Sequence, residues 1–197
     1  MTYSDKLRKL LNQHGGTITT KEASEAGISK EMLRLLTNAG EVERVAQGVY
    51  ISQEAFLDKM YVLQKRLSTI IYSHETALFL HDLTDRDPIR YAVTLPSNVR
   101  SKRLKDENIR VFYIKRELHD VGVTTMQTVF GNNVFAYGLE RTICDCIRSR
   151  NQMDIAIVAD AMKRYAKRSD KDLNLLMSFA DQFRISNVIN RYLEVLL

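Results

Sequence analysis

The segment from Gly15 to Ser52 constrains the fold of this chain most, because it has the pattern of two short helices joined by a glycine turn. Thr19 and Glu22 have the spacing of a capping box at the start of the first helix. Ser29 can cap a second helix that runs from Lys30 to Ala39. Two helices with such a turn, the second polar on its outward side, are typical of a helix-turn-helix motif.

The periodicity of the second helix predicts which side chains are buried. The apolar residues at helical spacing are Ile28, Met32, Leu35, Leu36 and Ala39. The opposite face then carries Lys30, Arg34 and Thr37, with Glu31 and Asn38 beside them. We expect Lys30, Arg34 and Thr37 to meet base edges in the major groove of DNA.

A hairpin is predicted directly after the second helix. Val42 to Arg44 and Val49 to Ile51 have strand character, with a turn at Gln47 and Gly48. Such a hairpin is typical of the wing of a winged helix-turn-helix domain. Arg44 and Gln47 are therefore expected to contact the DNA backbone or the minor groove. Small winged domains also serve as protein-interaction modules, which remains an alternative.

Length and composition suit a small and a medium domain. The 197 residues are 45% hydrophobic, and the net charge of +5 permits a polyanionic partner without demanding one. Cys144 and Cys146 have no second pair nearby, so we expect two reduced core residues and no zinc site. The sequence shows no signal peptide and no long apolar run, which favours a cytoplasmic protein without a membrane span.

The pattern predicts an α+β protein. We expect a winged helix-turn-helix domain over 1–52, a connecting helix in 53–72 that covers 53–67, and a mixed C-terminal domain over 73–197. In that domain the strands come first and the helices last, an order that favours the α+β class. The predicted strands are 89–95, 109–114, 124–130 and 134–137, and four amphipathic helices follow them.

No segment has a convincing catalytic signature. Ser73, His74 and Glu75 are the residue types of a hydrolytic triad, but consecutive residues at a helix start are expected to splay apart. We therefore interpret His74 as a packing histidine, and the acidic run from His81 to Asp87 as a solvated turn. We expect no catalytic residue, no metal and no cofactor. The alternative is a nuclease-like enzyme that depends on a metal and on one of four carboxylates, Asp82, Asp85, Asp87 or Asp145.

Two basic clusters lie in the C-terminal part. One falls in a loop with Arg100, Lys102, Arg103, Lys105 and Arg110. The other follows one helix at i, i+1, i+4, i+5 and i+8, and consists of Lys163, Arg164, Lys167, Arg168 and Lys171. Such a stripe can neutralise phosphates, so Lys163, Lys167 and Arg168 are candidate DNA contacts. The alternative is a solvated helix face.

Four ordered segments resemble the AbiE-type antitoxins, most closely the AbiEi family. They are ERVAQGVY from Glu43, YSHETALFLHDL from Tyr72, YAVTLP from Tyr91 and ERTICD from Glu140. One departure is Gln47, which stands where wings of this family often carry a basic residue.

The resemblance implies a transcriptional autorepressor and antitoxin of a type IV toxin–antitoxin system that acts in abortive infection of phage-infected cells. Such proteins bind inverted repeats in their own promoter and oppose a nucleotidyltransferase-like toxin without a stable complex. Their second domain is needed for antitoxicity and helps repression, and the protomers are expected to cooperate on DNA. The alternatives are a module that sequesters the toxin and the nuclease-like enzyme.

Overall fold

The computed structural model describes residues 2–99, 104 and 109–196. The chain is a mixed α+β protein with two compact units, which confirms the predicted class. The first unit consists of Met1–Thr69 and Gln127–Val134, and the second of Ile70–Met126 and Phe135–Leu197. The basic loop side chains Arg100, Lys102, Arg103 and Lys105 lie outside the described residues.

The first unit combines helices with a three-stranded antiparallel sheet of order β1-β3-β2. Its elements are α1 (Tyr3–Gln13), β1 (Thr17–Thr19), α2 (Thr20–Glu25), α3 (Lys30–Asn38), β2 (Val42–Ala46), β3 (Val49–Ser52) and α4 (Lys59–Arg66). Both predicted caps are confirmed. The Thr19 hydroxyl accepts from the Glu22 amide at 3.1 Å, the Glu22 carboxylate accepts from the Thr19 amide at 2.7 Å, and Ser29 accepts from the Met32 amide at 3.1 Å.

The predicted apolar face of α3 was confirmed at Ile28, Met32 and Leu36 and was wrong at Leu35 and Ala39. Leu33 and Leu36 are buried in the core of the first unit, whereas Leu35 is 50% exposed. The core that receives α3 consists of Leu7, Leu10, Leu11, Ile18, Ala23, Ile28 and Val42. Because Leu33 and Leu36 fill this core, the helix turns Leu35 and Ala39 toward solvent.

The predicted connecting helix is shorter than expected. Helix α4 begins at Lys59 because the buried Asp58 caps it, its carboxylate accepting from the Tyr61 amide at 3.0 Å. The other carboxylate oxygen of Asp58 accepts from the Thr128 hydroxyl at 2.6 Å and from the Asn132 amide group at 2.9 Å. Asp58 thus ties Gln127–Val134 into the first unit.

The second unit has its helices around the five-stranded sheet β6-β5-β4-β8-β7. Strands β5 and β6 are parallel, as are β4 and β8, while β4 and β5 are antiparallel. The short β4 and α6 were not predicted. The elements are β4 (Ile71–Tyr72), α5 (His74–Leu80), β5 (Ala92–Pro96), β6 (Arg110–Ile114), α6 (Arg116–His119), β7 (Val123–Gln127), β8 (Asn133–Tyr137), α7 (Leu139–Arg148), α8 (Ile155–Lys167), α9 (Leu173–Gln182) and α10 (Ser186–Leu196).

His74 is a buried packing residue, as predicted. Its ring stacks on Phe112 with 3.4 Å between centroids. Its Nδ1 lies 2.9 Å from the Ser73 hydroxyl and its Nε2 lies 3.0 Å from the Ser149 hydroxyl. The expectation that Ser73 and His74 splay apart was wrong, because His74 has a positive φ of 48°. The whole cluster is closed to solvent.

Among the described helices, none has the length and apolar character needed to cross a bilayer.

Candidate nucleic-acid interface

The exposed side of α3 is a largely polar surface of the first unit. Five exposed residues form it, at positions i, i+1, i+4, i+5 and i+8, and we call this set the α3 face: Lys30, Glu31, Arg34, Leu35 and Asn38. At about 100° per residue, Glu31 and Asn38 lie in the middle of this arc. Arg34 and Leu35 flank them on either side. The structure therefore centres the surface on Glu31 and Asn38, which were predicted beside the polar face, and adds at one edge Leu35, which was predicted in the core.

Contacts within the first unit fix the orientation of α3. The Ser4 hydroxyl at the start of α1 donates to the Glu41 carboxylate, 2.8 Å away, just beyond α3. On α2, Glu22 accepts from Lys65 at 2.5 Å, which joins α2 to α4. Burial raises the pKa of Glu22, but hydrogen bonds from Lys65 and Thr19 outweigh this and hold that pKa below its usual value. These contacts join α1 to the residue that follows α3, and α2 to α4.

The cations of the α3 face are available for an external partner. Within residues 2–99, 104 and 109–196, the side chains of Lys30 and Arg34 have no hydrogen bond and no ion pair. An unpaired guanidinium can bond the two acceptors of guanine in the major groove. Asn38 offers the donor and acceptor that match adenine, and Glu31 can accept from the amino group of cytosine. The face therefore carries groups for several base edges.

Thr37 lies at the margin of this surface. Its side chain is half-buried, and its hydroxyl donates to the Leu33 carbonyl at 2.8 Å. The hydrogen of this hydroxyl is used inside the helix, so Thr37 can only accept from a ligand in this arrangement.

Arg44 and Gln47 are both exposed on the β2–β3 hairpin of the same unit. Arg44 lies on β2 opposite Tyr50, and Gln47 lies in the turn before Gly48, whose φ is +74°. A left-handed residue at this position closes a tight turn, for which glycine is well suited. The hairpin therefore presents both side chains to solvent, Arg44 from strand β2 and Gln47 from the turn.

The five predicted cations do not form one stripe along a helix, because α8 ends at Lys167 and leaves Arg168 and Lys171 beyond it. Arg168 donates to the Asp170 carboxylate at 2.7 Å and to the His81 carbonyl at 2.8 Å. Arg164 is similarly bound to Asp85 and Asp160, and Lys171 donates to a backbone carbonyl. Of the five predicted cations, only Lys163 and Lys167 lack such a partner in the described part of the chain.

Lys163 lies beside an apolar groove between α8 and α10. The groove has a volume of about 520 Å³, and its apolar wall includes Val188, Tyr192 and Val195. Arg150 and Arg191 line it together with Lys163. This surface combines apolar and cationic groups, a different character from the α3 face.

Of the four carboxylates named for the enzyme alternative, Asp85 and Asp145 are paired with arginines, whereas Asp82 and Asp87 are exposed. Asp145 is fully buried, with Arg141 Nε at 3.0 Å and an Arg148 guanidinium nitrogen at 3.1 Å. His81, in the acidic run, points its Nε2 at the Tyr137 carbonyl, 2.8 Å away. Among residues 2–99, 104 and 109–196, no three His, Cys, Asp or Glu side chains come together as a metal-binding group.

The two cysteines are buried and unbonded, as predicted. Burial raises the pKa of Cys144 to about 12, so this thiol stays protonated at neutral pH.

Comparison with known proteins identifies the N-terminal segment. Residues 5–53 match the family described as transcriptional regulator, AbiEi antitoxin, which confirms the resemblance over that segment. No curated protein matches the chain significantly. The crystal structure of the RV2827C protein from Mycobacterium tuberculosis has a similar fold, with a TM-score of 0.57 at 16% sequence identity. That similarity covers 90% of this chain and 72% of the Mycobacterium protein.

Proposed function

We propose that this protein is a DNA-binding transcriptional autorepressor and the antitoxin of a type IV toxin–antitoxin system. Residues 1–52 would be a winged helix-turn-helix domain, with α3 as the recognition helix and the β2–β3 hairpin as the wing. The observation that carries the proposal is the α3 face, on which Arg34 stands exposed and without a partner in the described part of the chain. The match of residues 5–53 to antitoxin regulators supports it.

In this proposal the contacts divide into two kinds. Arg34 reads a base, while Lys30 and Thr37 border the groove. Arg44 and Gln47 contact the backbone or the minor groove from the wing. Phosphate contacts by Lys163 and Lys167 on α8 add affinity for any sequence, and Arg168 can join them only by giving up part of its binding to Asp170. Protomers bind inverted repeats in the promoter of their own gene cooperatively, in the cytoplasm.

The antitoxin role belongs to residues 73–197, with 53–72 as the connection. There the protein would oppose a nucleotidyltransferase-like toxin without forming a stable complex and without enzyme activity. The family resemblance supports the antitoxin role, and the absence of enzyme activity is supported by Asp145, which is buried and paired with Arg141 and Arg148.

The test is binding to the promoter of its own gene, compared with shuffled DNA at two salt concentrations. A specific repressor should prefer the promoter by at least ~10³-fold. Arg34→Ala should cost about 1–3 kcal/mol, which is a loss of about 5- to 150-fold in affinity for the promoter. Arg116→Ala is the matched control, because it removes an exposed arginine from α6 of the second unit. Full promoter affinity in Arg34→Ala would remove Arg34 from the interface.

One observation favours a second candidate, a module that sequesters the toxin. The groove between α8 and α10 is apolar and bordered by Lys163 and Arg191, which suits an acidic amphipathic helix of a partner. This candidate predicts a stable complex with the cognate toxin, and loss of the complex in a Lys163→Glu, Arg191→Glu variant. Absence of any complex at micromolar concentration would eliminate it.

A further inference from the structure

Leu35 is an apolar side chain in an otherwise polar surface. It is 50% exposed, although its neighbour Leu36 is buried. Glu31 lies four residues before it and Asn38 three residues after it, so both adjoin Leu35 on the α3 face. Its delta methyl groups therefore form part of the surface that the proposed function places against DNA.

Other exposed apolar residues of the first unit have a different setting. Phe56 and Phe130 stack with 6.4 Å between ring centroids, and the exposed Leu57 and Val129 adjoin them in sequence. That patch has its own internal apolar contacts. Leu35 instead stands among Arg34, Glu31 and Asn38, where a partner that covers the face would have to bury it against a group of its own.

The major groove offers one apolar group, the 5-methyl of thymine. The edges of guanine, adenine and cytosine present hydrogen-bonding atoms that Leu35 cannot satisfy. Burying an alkyl group against the thymine methyl is favourable, whereas burying it against an amino group leaves that donor without water. We infer that Leu35 is a specificity-determining residue that selects thymine at one position of each half-site. The inference rests on the proposed DNA binding through α3.

The methyl can be removed from DNA without changing the base pair. A binding site selected from random duplex DNA is resynthesised with deoxyuridine in place of thymidine, one position at a time. The wild-type protein should lose about three- to fivefold in affinity at one position per half-site, the value of one buried methyl group. Leu35→Ala should bind the parent site more weakly and show no further loss at that same position.

Two variants control for indirect effects. Leu35→Met keeps an apolar side chain of similar length and should retain the response to deoxyuridine. Leu175→Ala, at a leucine that is 40% exposed on α9, should respond to deoxyuridine as the wild type does. Unchanged thermal unfolding of Leu35→Ala will show that the half-exposed side chain is not needed for folding.

The outcomes separate the inference from the function on which it depends. Specific binding that depends on Arg34 but ignores every deoxyuridine overturns the role of Leu35 and leaves the repressor proposal standing. An equal loss in the wild type and Leu35→Ala assigns the methyl to another contact and also overturns it. If no specific site can be selected at all, both the proposed function and this inference fail.

Discussion

Removing Arg141 should destabilise the second unit more than any surface substitution. Its side chain has no solvent exposure, and its Nε donates to the equally buried Asp145 at 3.0 Å. The guanidinium also donates to the carbonyl groups of Leu118 and Val121, and lies 3.9 Å from the centre of the Tyr137 ring. A single side chain therefore joins α7 to the segment between β6 and β7.

The expected loss of stability follows from the buried Asp145 carboxylate, which Arg141→Ala deprives of one of its two partners. Burial raises the pKa of Asp145, while Arg141 and Arg148 act in the opposite direction. In Arg141→Ala the carboxylate keeps only Arg148, which lies 3.1 Å away and is partly exposed. Breaking a buried pair in this way costs about 3–5 kcal/mol. With a urea dependence of about 2 kcal/mol per molar, the unfolding midpoint should fall by roughly 2 M.

Urea unfolding followed by circular dichroism measures this loss. The matched control is the double variant Arg141→Met, Asp145→Leu, which replaces both charges by apolar groups and should recover much of the stability. Arg148→Ala removes the partly exposed partner and should cost less than Arg141→Ala. A change below about 1 kcal/mol in Arg141→Ala, within the range of an exposed pair, would refute the reasoning.

Two further predictions concern DNA affinity and pH. Lys167→Ala should weaken binding to promoter and shuffled DNA alike. Fluorescence anisotropy should also show that the slope of log affinity against log salt is reduced by about one. An unchanged slope would place Lys167 outside the interface. Burial, with help from Arg148, holds the pKa of His74 well below its usual value, so the unfolded chain binds a proton that the folded chain does not. The free energy of unfolding should have its full value above about pH 6.5. At lower pH it should decrease by up to ~1.4 kcal/mol per pH unit for this one group. In His74→Asn, urea unfolding at pH 7.5 and 5.5 should show a smaller fall in the free energy of unfolding than in the wild type. The fall that remains is the contribution of His81, because burial lowers the pKa of that residue as well. An equal fall in the variant and the wild type would contradict the assignment.

Local signals in the sequence predicted the starts of helices α2 and α3 correctly. The caps at Thr19 and Ser29 depend on hydrogen bonds across three residues, so their spacing is visible in the chain. The rotation of α3 is not local. With Met32 and Leu36 at the core, helical periodicity allows either Leu35 or Leu33 beside them, and packing against the rest of that core decides for Leu33. Which residues of α3 form the exposed surface could therefore be decided only from the structure.

Long-range contacts explain other differences between the predicted and the observed structure. Asp58 caps α4 through one carboxylate oxygen, and through the other it binds Thr128, a residue 70 positions later, which ties Gln127–Val134 into the first unit. No spacing rule connects two such residues. The bond between Ser73 and His74 depends on a positive φ at His74, which is uncommon outside glycine. Ordinary helical geometry at that point does not include this conformation.

The pairing on α8 also bears on how DNA would be bound. Five phosphate contacts would reduce affinity several hundredfold between 50 and 200 mM salt, whereas two would reduce it only about tenfold. Because Arg164 and Arg168 are held by acidic neighbours, α8 offers Lys163 and Lys167 alone without a reorganisation of these pairs. Such phosphate contacts can support binding, but they cannot distinguish one DNA sequence from another. Discrimination of the promoter would then have to come from the α3 face, where the side chains match base edges in hydrogen-bonding pattern and in apolar character.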